Sequence, residues 1–390
     1  MAHNISTPID EDADWTVLYV SFSIIFIAGF TVTAVLLLWC KKLLCFSKRQ
    51  IFCPIIDMDK QEDLYPPLSE DLIVLVTGSL TFGTNEEKFD SWIKLMRMVM
   101  EEKRREKRKY PFRKLPPRKY RNYSIPLNPL TSLQIIHGNR IRSRDNTVFY
   151  ATQMPMEQSE HFDETRIDFL NLIWQDEIEV LVMLGPTRPY DGKEFVQLDG
   201  MYFCEGAKGK MTIGSYEVET LKEMPFLVDG KNNNDVLMRT IRITDKKKKK
   251  NNFREITHFQ YVSWNDKDVP PNGFETAYQL MSEIKKSKKP IIVHCTEGVG
   301  RTMAFIGLDY IPSHLEIHDE WKFEDGFKKL IEKRYKSFQN AQQIGWLEVG
   351  VVYFLTKKYE LEMAMFDAIN TKYSTICAKG ITEVGGVRWR

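Results

Sequence analysis

The chain has 390 residues, with 55 Lys and Arg against 53 Asp and Glu and a hydrophobic fraction of 43%. Such a composition can bury a core, and it excludes a disordered or fibrous chain. A formal charge of +2 also excludes a dedicated nucleic-acid binder, which needs a basic excess along one face, so no nucleic acid is expected as a partner.

Residues 1–14 are short and acidic, with Asp10, Glu11, Asp12 and Asp14 and no Lys or Arg. From Trp15 to Cys40 no residue carries a charge. At about 1.5 Å per residue this run spans a hydrocarbon core about 30 Å thick, so 15–40 is predicted as a transmembrane helix in contact with the lipid bilayer. The acidic flank argues against a cleaved signal peptide. Lys41, Lys42, Lys48 and Arg49 follow the run directly, and the positive-inside bias therefore predicts a single-pass membrane protein with its N-terminus outside and the rest cytoplasmic. The six cysteines, at 40, 45, 53, 204, 295 and 377, make neither a disulfide framework nor a Cys-x-x-Cys metal pair.

Pro54 and Pro66-Pro67 mark 41–87 as a juxtamembrane linker. Residues 88–360 then alternate β-branched runs with amphipathic ones, the pattern of an α/β or α+β domain. Phe89, Trp92, Ile93, Leu95, Met96 and Val99 repeat at helical spacing and predict a helix over 86–109. The basic stretch 103–119 behind them is a solvated helix end or, in the sharper reading, a contact for anionic lipid near the inner leaflet. Lys246 to Lys250 read as a loop between strands, and 361–390 as a tail without a legible pattern.

The chemistry concentrates in 290–311, PIIVHCTEGVGRTMAFIGLDYI. An apolar strand, Ile291 to Val293, feeds a loop and then a helix, so the loop amides and the positive helix end converge on one point and make an anion site. Gly298 and Gly300 permit the backbone angles of such a cradle. Cys295 lies at its base, where amides and dipole favour the thiolate and activate a nucleophile. Arg301 offers a planar fork for two phosphoryl oxygens, and Thr302 a hydroxyl for the sulfur. Taken alone, Cys295 reads as a buried small hydrophobe; the co-occurrence of His294, both glycines, Arg301 and Thr302 argues against that.

The nonapeptide HCTEGVGRT resembles the His-Cys-x5-Arg-Ser/Thr signature of the protein tyrosine phosphatases. The likeness extends over about 88–360. REITHFQYVSWNDKDVP matches the family's strand and Trp-Pro-Asp loop, with Trp264, Asn265 and Asp266 in the three places, and SFQNAQQIGW resembles its glutamine loop. FYATQMP resembles its Ala-Thr-Gln-Gly-Pro stretch, and DFLNLIWQ the helix that follows. The resemblance implies a highly twisted mixed β-sheet flanked by helices, phosphotyrosine-containing proteins as partners, and no cofactor or metal. It implies that Cys295 attacks phosphorus, that Thr296, Glu297, Gly298, Val299, Gly300 and Thr302 form the phosphate-binding loop with Arg301, and that Asp266 protonates the leaving oxygen. Gln343, helped by Gln339, would then place the hydrolytic water, while His294 orients the loop and helps hold the sulfur ionised. Trp264 reads as a core anchor or as a hinge of the acid loop, and Asp268 as the competitor of Asp266.

Four departures separate the chain from that pattern. Asn265 replaces the proline that stiffens the acid loop, Glu297 brings a carboxylate into the cradle, and Met303 replaces a glycine in the first helical turn. The substrate-recognition loop survives only as Lys119-Tyr120-Arg121-Asn122-Tyr123, with Tyr123 as its stacking ring. The expected activity is therefore phosphotyrosine hydrolysis of reduced rate, with a phosphoprotein-binding adaptor of impaired catalysis as the alternative. A redox-sensing thiol domain is disfavoured, since no resolving cysteine is placed by the sequence.

Overall fold

The computed structural model describes residues 68–109, 115–122, 124–128, 130–189, 198–250, 252–317, 322–380 and 383–390, the side chains of 102–109 excepted. The proposed membrane segment 15–40 and Tyr123 lie outside these residues, and among the described residues no helix is long and apolar enough to cross a membrane.

Eight strands form one mixed sheet in the order β1-β2-β8-β3-β7-β6-β5-β4. Its centre is parallel: β2 (Val148–Gln153), β8 (Ile291–Cys295), β3 (Val180–Leu184) and β7 (Phe253–Tyr261) run in register, each next to the last. Parallel strands are covered on both faces, so their side chains sort by parity rather than by polarity. Ile291 and Val293 enter one core and Ile292 the other, all without exposed surface. The antiparallel β1 (Gly138–Arg142) closes one edge. On the other side β6 (Lys231–Asp245) and β5 (Tyr216–Val228) form a long hairpin with two register shifts, ending in the short β4 (Lys210–Ile213).

One face carries α1 (Glu70–Thr81), α2 (Asn85–Lys109), α4 (Glu275–Ile284), α5 (Gly300–Leu315), α6 (Phe323–Lys333), α7 (Ala341–Lys358) and α8 (Met363–Ala378). The other face holds α3 (Arg166–Gln175) with Tyr202 and Phe203. Helix α5 is central: all sixteen of its residues are buried. Met303, placed where a glycine was expected, fills this core with no exposed surface.

The folded unit is larger than 88–360. Described residues of the parts expected as a linker and a tail, among them Val76, Leu80, Ile369 and Trp389, pack into the same core. Helix α1 buries Ile73, Val76 and Leu80, and the Leu68 N–H donates to the Glu316 carbonyl. At the other end, α8 buries Ile369, Tyr373 and Ile376, whose spacing of four and three is helical. A last hairpin, β9 (Glu383–Val384) and β10 (Val387–Arg388), delivers Trp389 into the core.

Candidate active site

Strand β8 ends at Cys295 and α5 begins at Gly300, leaving four residues to turn the chain. How they turn is fixed by where their carbonyls go. The Met154 N–H donates to the Cys295 and Thr296 carbonyls at 3.1 Å each. Arg334 Nη2 donates to the Glu297 carbonyl at 3.1 Å, and its Nε to the Gly298 carbonyl. In trans peptides each carbonyl turned outward sends the next N–H the opposite way. The amides of 296 to 299 therefore face the interior of the loop, and the Gly298 N–H does meet Cys295 Sγ at 3.2 Å. This is a backbone anion cradle with a sulfur at its floor. Gly298 is required: its φ is +70°, and a Cβ there would stand 2.0 Å from the Thr152 carbonyl oxygen.

Arg301, 2% exposed, closes the cradle. Its Nη1 donates to the Trp264 carbonyl at 3.0 Å, and its Nη2 to Asp266 Oδ1 at 2.9 Å and Thr296 Oγ1 at 3.2 Å. The acid loop is thereby brought over the cysteine loop. It is held from behind as well: Trp264, fully buried between Tyr261 and Trp346, donates from Nε1 to the Asp268 carbonyl at 2.8 Å. Asp268 thus contributes its backbone, while Asp266 is the aspartate facing the arginine.

Glu297 does not block the cradle. Its Oε1 accepts from Asn122 Nδ2 at 2.7 Å, which ties the cysteine loop to the Lys119–Asn122 segment. That segment is anchored in turn by Gln153, whose Nε2 donates to the Lys119 carbonyl and whose Oε1 accepts from the Arg121 N–H, both at 3.0 Å. Arg118 and Lys119, the last cations of the basic stretch, pair with Asp163 and Asp168.

Three expectations are corrected. First, His294 carries no charge to offer the sulfur, because burial pushes its imidazole down to about 3. Its protonation pattern is dictated by two ends with fixed roles. Nδ1 faces the Cys295 carbonyl at 3.3 Å, which can only accept, so Nε2 accepts from the Tyr202 hydroxyl at 2.7 Å. The Tyr202 oxygen then accepts from His258 Nε2 at 3.1 Å, leaving His258 Nδ1 for the donor-only Arg239 at 3.5 Å. His294 is a positioning residue at the end of a fully ordered buried chain. Second, the Thr302 hydroxyl is buried without a hydrogen-bond partner instead of donating to the sulfur. Third, Gln343 is engaged within the protein and Gln339 lies nearer the cradle. Gln343 is fully buried, its Oε1 accepting the Gln339 N–H at 2.9 Å and its Nε2 donating to the Asp268 carbonyl at 3.3 Å. Gln339 Oε1 instead lies 2.3 Å from where a Cβ on Gly300 would stand, so Gln339 is the glutamine beside the cradle.

Arg334 escaped the sequence reading. It is fully buried, Nη1 donates to Asn139 Oδ1 at 2.9 Å, and burial pushes its guanidinium down to about 10, with Cys295 and Glu297 pulling it back up. Its segment, EKRYKS, looks like solvated helix end.

Fold and site together define an α/β domain whose central strand presents a cysteine under an amide-and-arginine cradle, the architecture of a phosphate-handling enzyme. The family model described as Protein-tyrosine phosphatase matches residues 119–353. The chain belongs to the protein-tyrosine phosphatase family and by family is a phosphoric monoester hydrolase. It is 26% identical over 238 residues to "Probable tyrosine phosphatase protein N1" of Microplitis demolitor bracovirus (isolate Webb), covering 58% of this chain and 69% of that protein. It is also 26% identical to human "Tyrosine-protein phosphatase non-receptor type 18", over 56% of this chain and 43% of the relative. With "Tyrosine-protein phosphatase 69D" of Drosophila melanogaster the identity is again 26%, over 56% of this chain and 14% of the relative, so the chain spans less than half of these two proteins. The crystal structure of the catalytic domain of the human type 18 enzyme is 25% identical, with a TM-score of 0.46 over 56% of this chain and 73% of that one.

Proposed function

We propose that this chain hydrolyses phosphotyrosine in proteins through a cysteinyl-phosphate on Cys295, anchored to a membrane by residues 15–40. The observation that carries the reading is the convergence at Arg301, which touches Asp266 at 2.9 Å and Thr296 at 3.2 Å above the sulfur that the Gly298 amide contacts. A phosphoryl dianion seated on the inward amides would have its oxygens on Arg301 and its phosphorus over Sγ. Sulfur attack forms the P–S bond as the bond to the tyrosyl oxygen breaks, and Asp266 gives that oxygen its proton. Water placed by Gln339 then forms a new P–O bond, its proton passing to Asp266 while the sulfur leaves as thiolate.

The full chain should release phosphate from an aryl phosphate, Cys295→Ser should abolish release, and Asp266→Ala should slow turnover by about 10²- to 10⁴-fold while retaining affinity. Equal release by wild type and Cys295→Ser would assign the activity elsewhere. The adaptor reading draws on the unpartnered Thr302 hydroxyl, which leaves the sulfur one donor short; it predicts phosphopeptide binding with background turnover, so the same assay separates the two. For the anchor, alkaline extraction should leave the full chain in membranes and free a chain lacking 15–40; extraction of both would contradict it.

A further inference from the structure

The last residues of the chain reach the catalytic loops. Val384 and Val387 pair across Gly385-Gly386, whose φ angles of +55° and +76° make the tight turn. The hairpin delivers Trp389 to a site with no exposed surface, stacked 5.8 Å from Trp92 and tilted against Phe89 at 5.2 Å, both on α2. The Trp389 carbonyl accepts the Gln342 N–H at 2.8 Å. Gln342 is the second residue of α7, between Gln339 and Gln343. A helix leaves its first N–H groups without internal partners, and here two outside groups serve them. Asn340 Oδ1 takes the Gln343 N–H at 3.0 Å, and the chain end takes that of Gln342. Beside this junction opens a crevice of 290 Å³ with Gly386 and Arg388 on one side and Val299, Phe338 and Gln339 on the other.

We propose that the C-terminal hairpin is a strap that caps α7 through the Trp389 carbonyl and so positions the glutamine loop for the second chemical step. This rests on the reading of Cys295 as a phosphoryl acceptor. The step it governs is the one in which water forms a P–O bond, its proton goes to Asp266, and the P–S bond breaks to release thiolate. Transfer of the phosphoryl group to sulfur needs Cys295, Arg301 and Asp266; the strap touches none of them, and the acid loop is tied to α7 through the Asn340 and Gln343 side chains, not through the Gln342 N–H that the strap caps. Trp389 is therefore a positioning residue, and its loss should divide the two steps.

The test is rapid-mixing kinetics of the full chain with an aryl phosphate, using Trp389→Ala, Trp389→Phe and Gln342→Pro. The proline variant deletes the capped N–H itself in the first turn of α7, where that N–H has no partner inside the helix, and it leaves the Trp389 side chain in place. Trp389→Ala and Gln342→Pro should keep the rate of the initial burst while steady turnover falls about five- to tenfold, the factor of an ordinary cap; Trp389→Phe should recover most of it. Unchanged turnover in both variants, or burst and steady rates falling together, would overturn the proposal. Amide exchange in the unliganded chain reads the capping without activity: the Gln342 amide should exchange at least about tenfold faster in Trp389→Ala, and an unchanged rate overturns the cap. A wild-type chain with neither burst nor turnover would refute the phosphatase reading and the kinetic role with it, and exchange would still decide whether the strap caps α7.

Discussion

An amide cradle exists only if the carbonyls of the same peptides find donors elsewhere, and one side chain supplies two of those donors here. Arg334 holds the Glu297 and Gly298 carbonyls outward, as Met154 does for Cys295 and Thr296. Arg334→Met keeps much of the stem and removes every donor, leaving buried acceptors unpaired. Stability should fall by about 1–3 kcal/mol in urea titration, and turnover by more than that loss explains, since the amides would no longer be aimed. A variant with wild-type turnover would refute this role. The nonapeptide HCTEGVGRT made the cradle legible, because each of its residue types has a task that spacing alone reveals. Arg334 was not legible, since a buried arginine and a solvated one look alike inside a run of lysines. The neutrality of His294 was equally hidden, since it follows from burial and not from neighbours in sequence.

The acid loop lacks the proline that would stiffen it and is secured by one hydrogen bond within itself and two from the N-terminal end of α7. The Trp264 indole and the Gln343 amide both donate to the Asp268 carbonyl, and Asn340 Nδ2 donates to the Lys267 carbonyl at 2.6 Å. Asn340 therefore does two things, capping α7 through Oδ1 and tying the acid loop through Nδ2. Asn340→Ala should cost about 1 kcal/mol of stability as a lost cap. It should also lower kcat with little change in KM, because the proton donor and not the cradle is loosened; an unchanged kcat in steady-state assay would contradict the tie. The glutamine loop was legible as an element, and the roles of its two glutamines were not, since a spacing of four residues cannot say which side chain faces the cradle. The C-terminal elements are marked only faintly in sequence, by Ile369, Tyr373 and Ile376 at helical spacing and by Gly-Gly between two valines.

Among the described residues, His137, His258 and His294 are folded in without charge. Burial brings His137 and His294 down to about 3 and His258 well below its ordinary value. Below a pH of about 6.5 the unfolded chain binds protons that the folded one refuses, so stability is complete above that value and declines as pH falls toward 3. Each such histidine contributes a slope of up to about 1.4 kcal/mol per pH unit in that window. Urea midpoints should accordingly be level above about pH 7 and drop steadily between about pH 6 and about pH 4. A level profile across that range would mean the histidines take up protons in the folded state. The mixed sheet and its flanking helices followed from the resemblance carried by a few motifs, whereas the packing of α1, α8 and the last hairpin onto the same core is marked by no motif.

The central claim is that Cys295 accepts the phosphoryl group, and acid quenching of the full chain within its first turnover on an aryl phosphate tests it most directly. The account predicts a phosphoryl group on the peptide containing Cys295, at an occupancy that rises when Gln339 is replaced by Ala, and none in Cys295→Ser. Phosphate released with no such adduct, or an adduct on any other side chain, would contradict it.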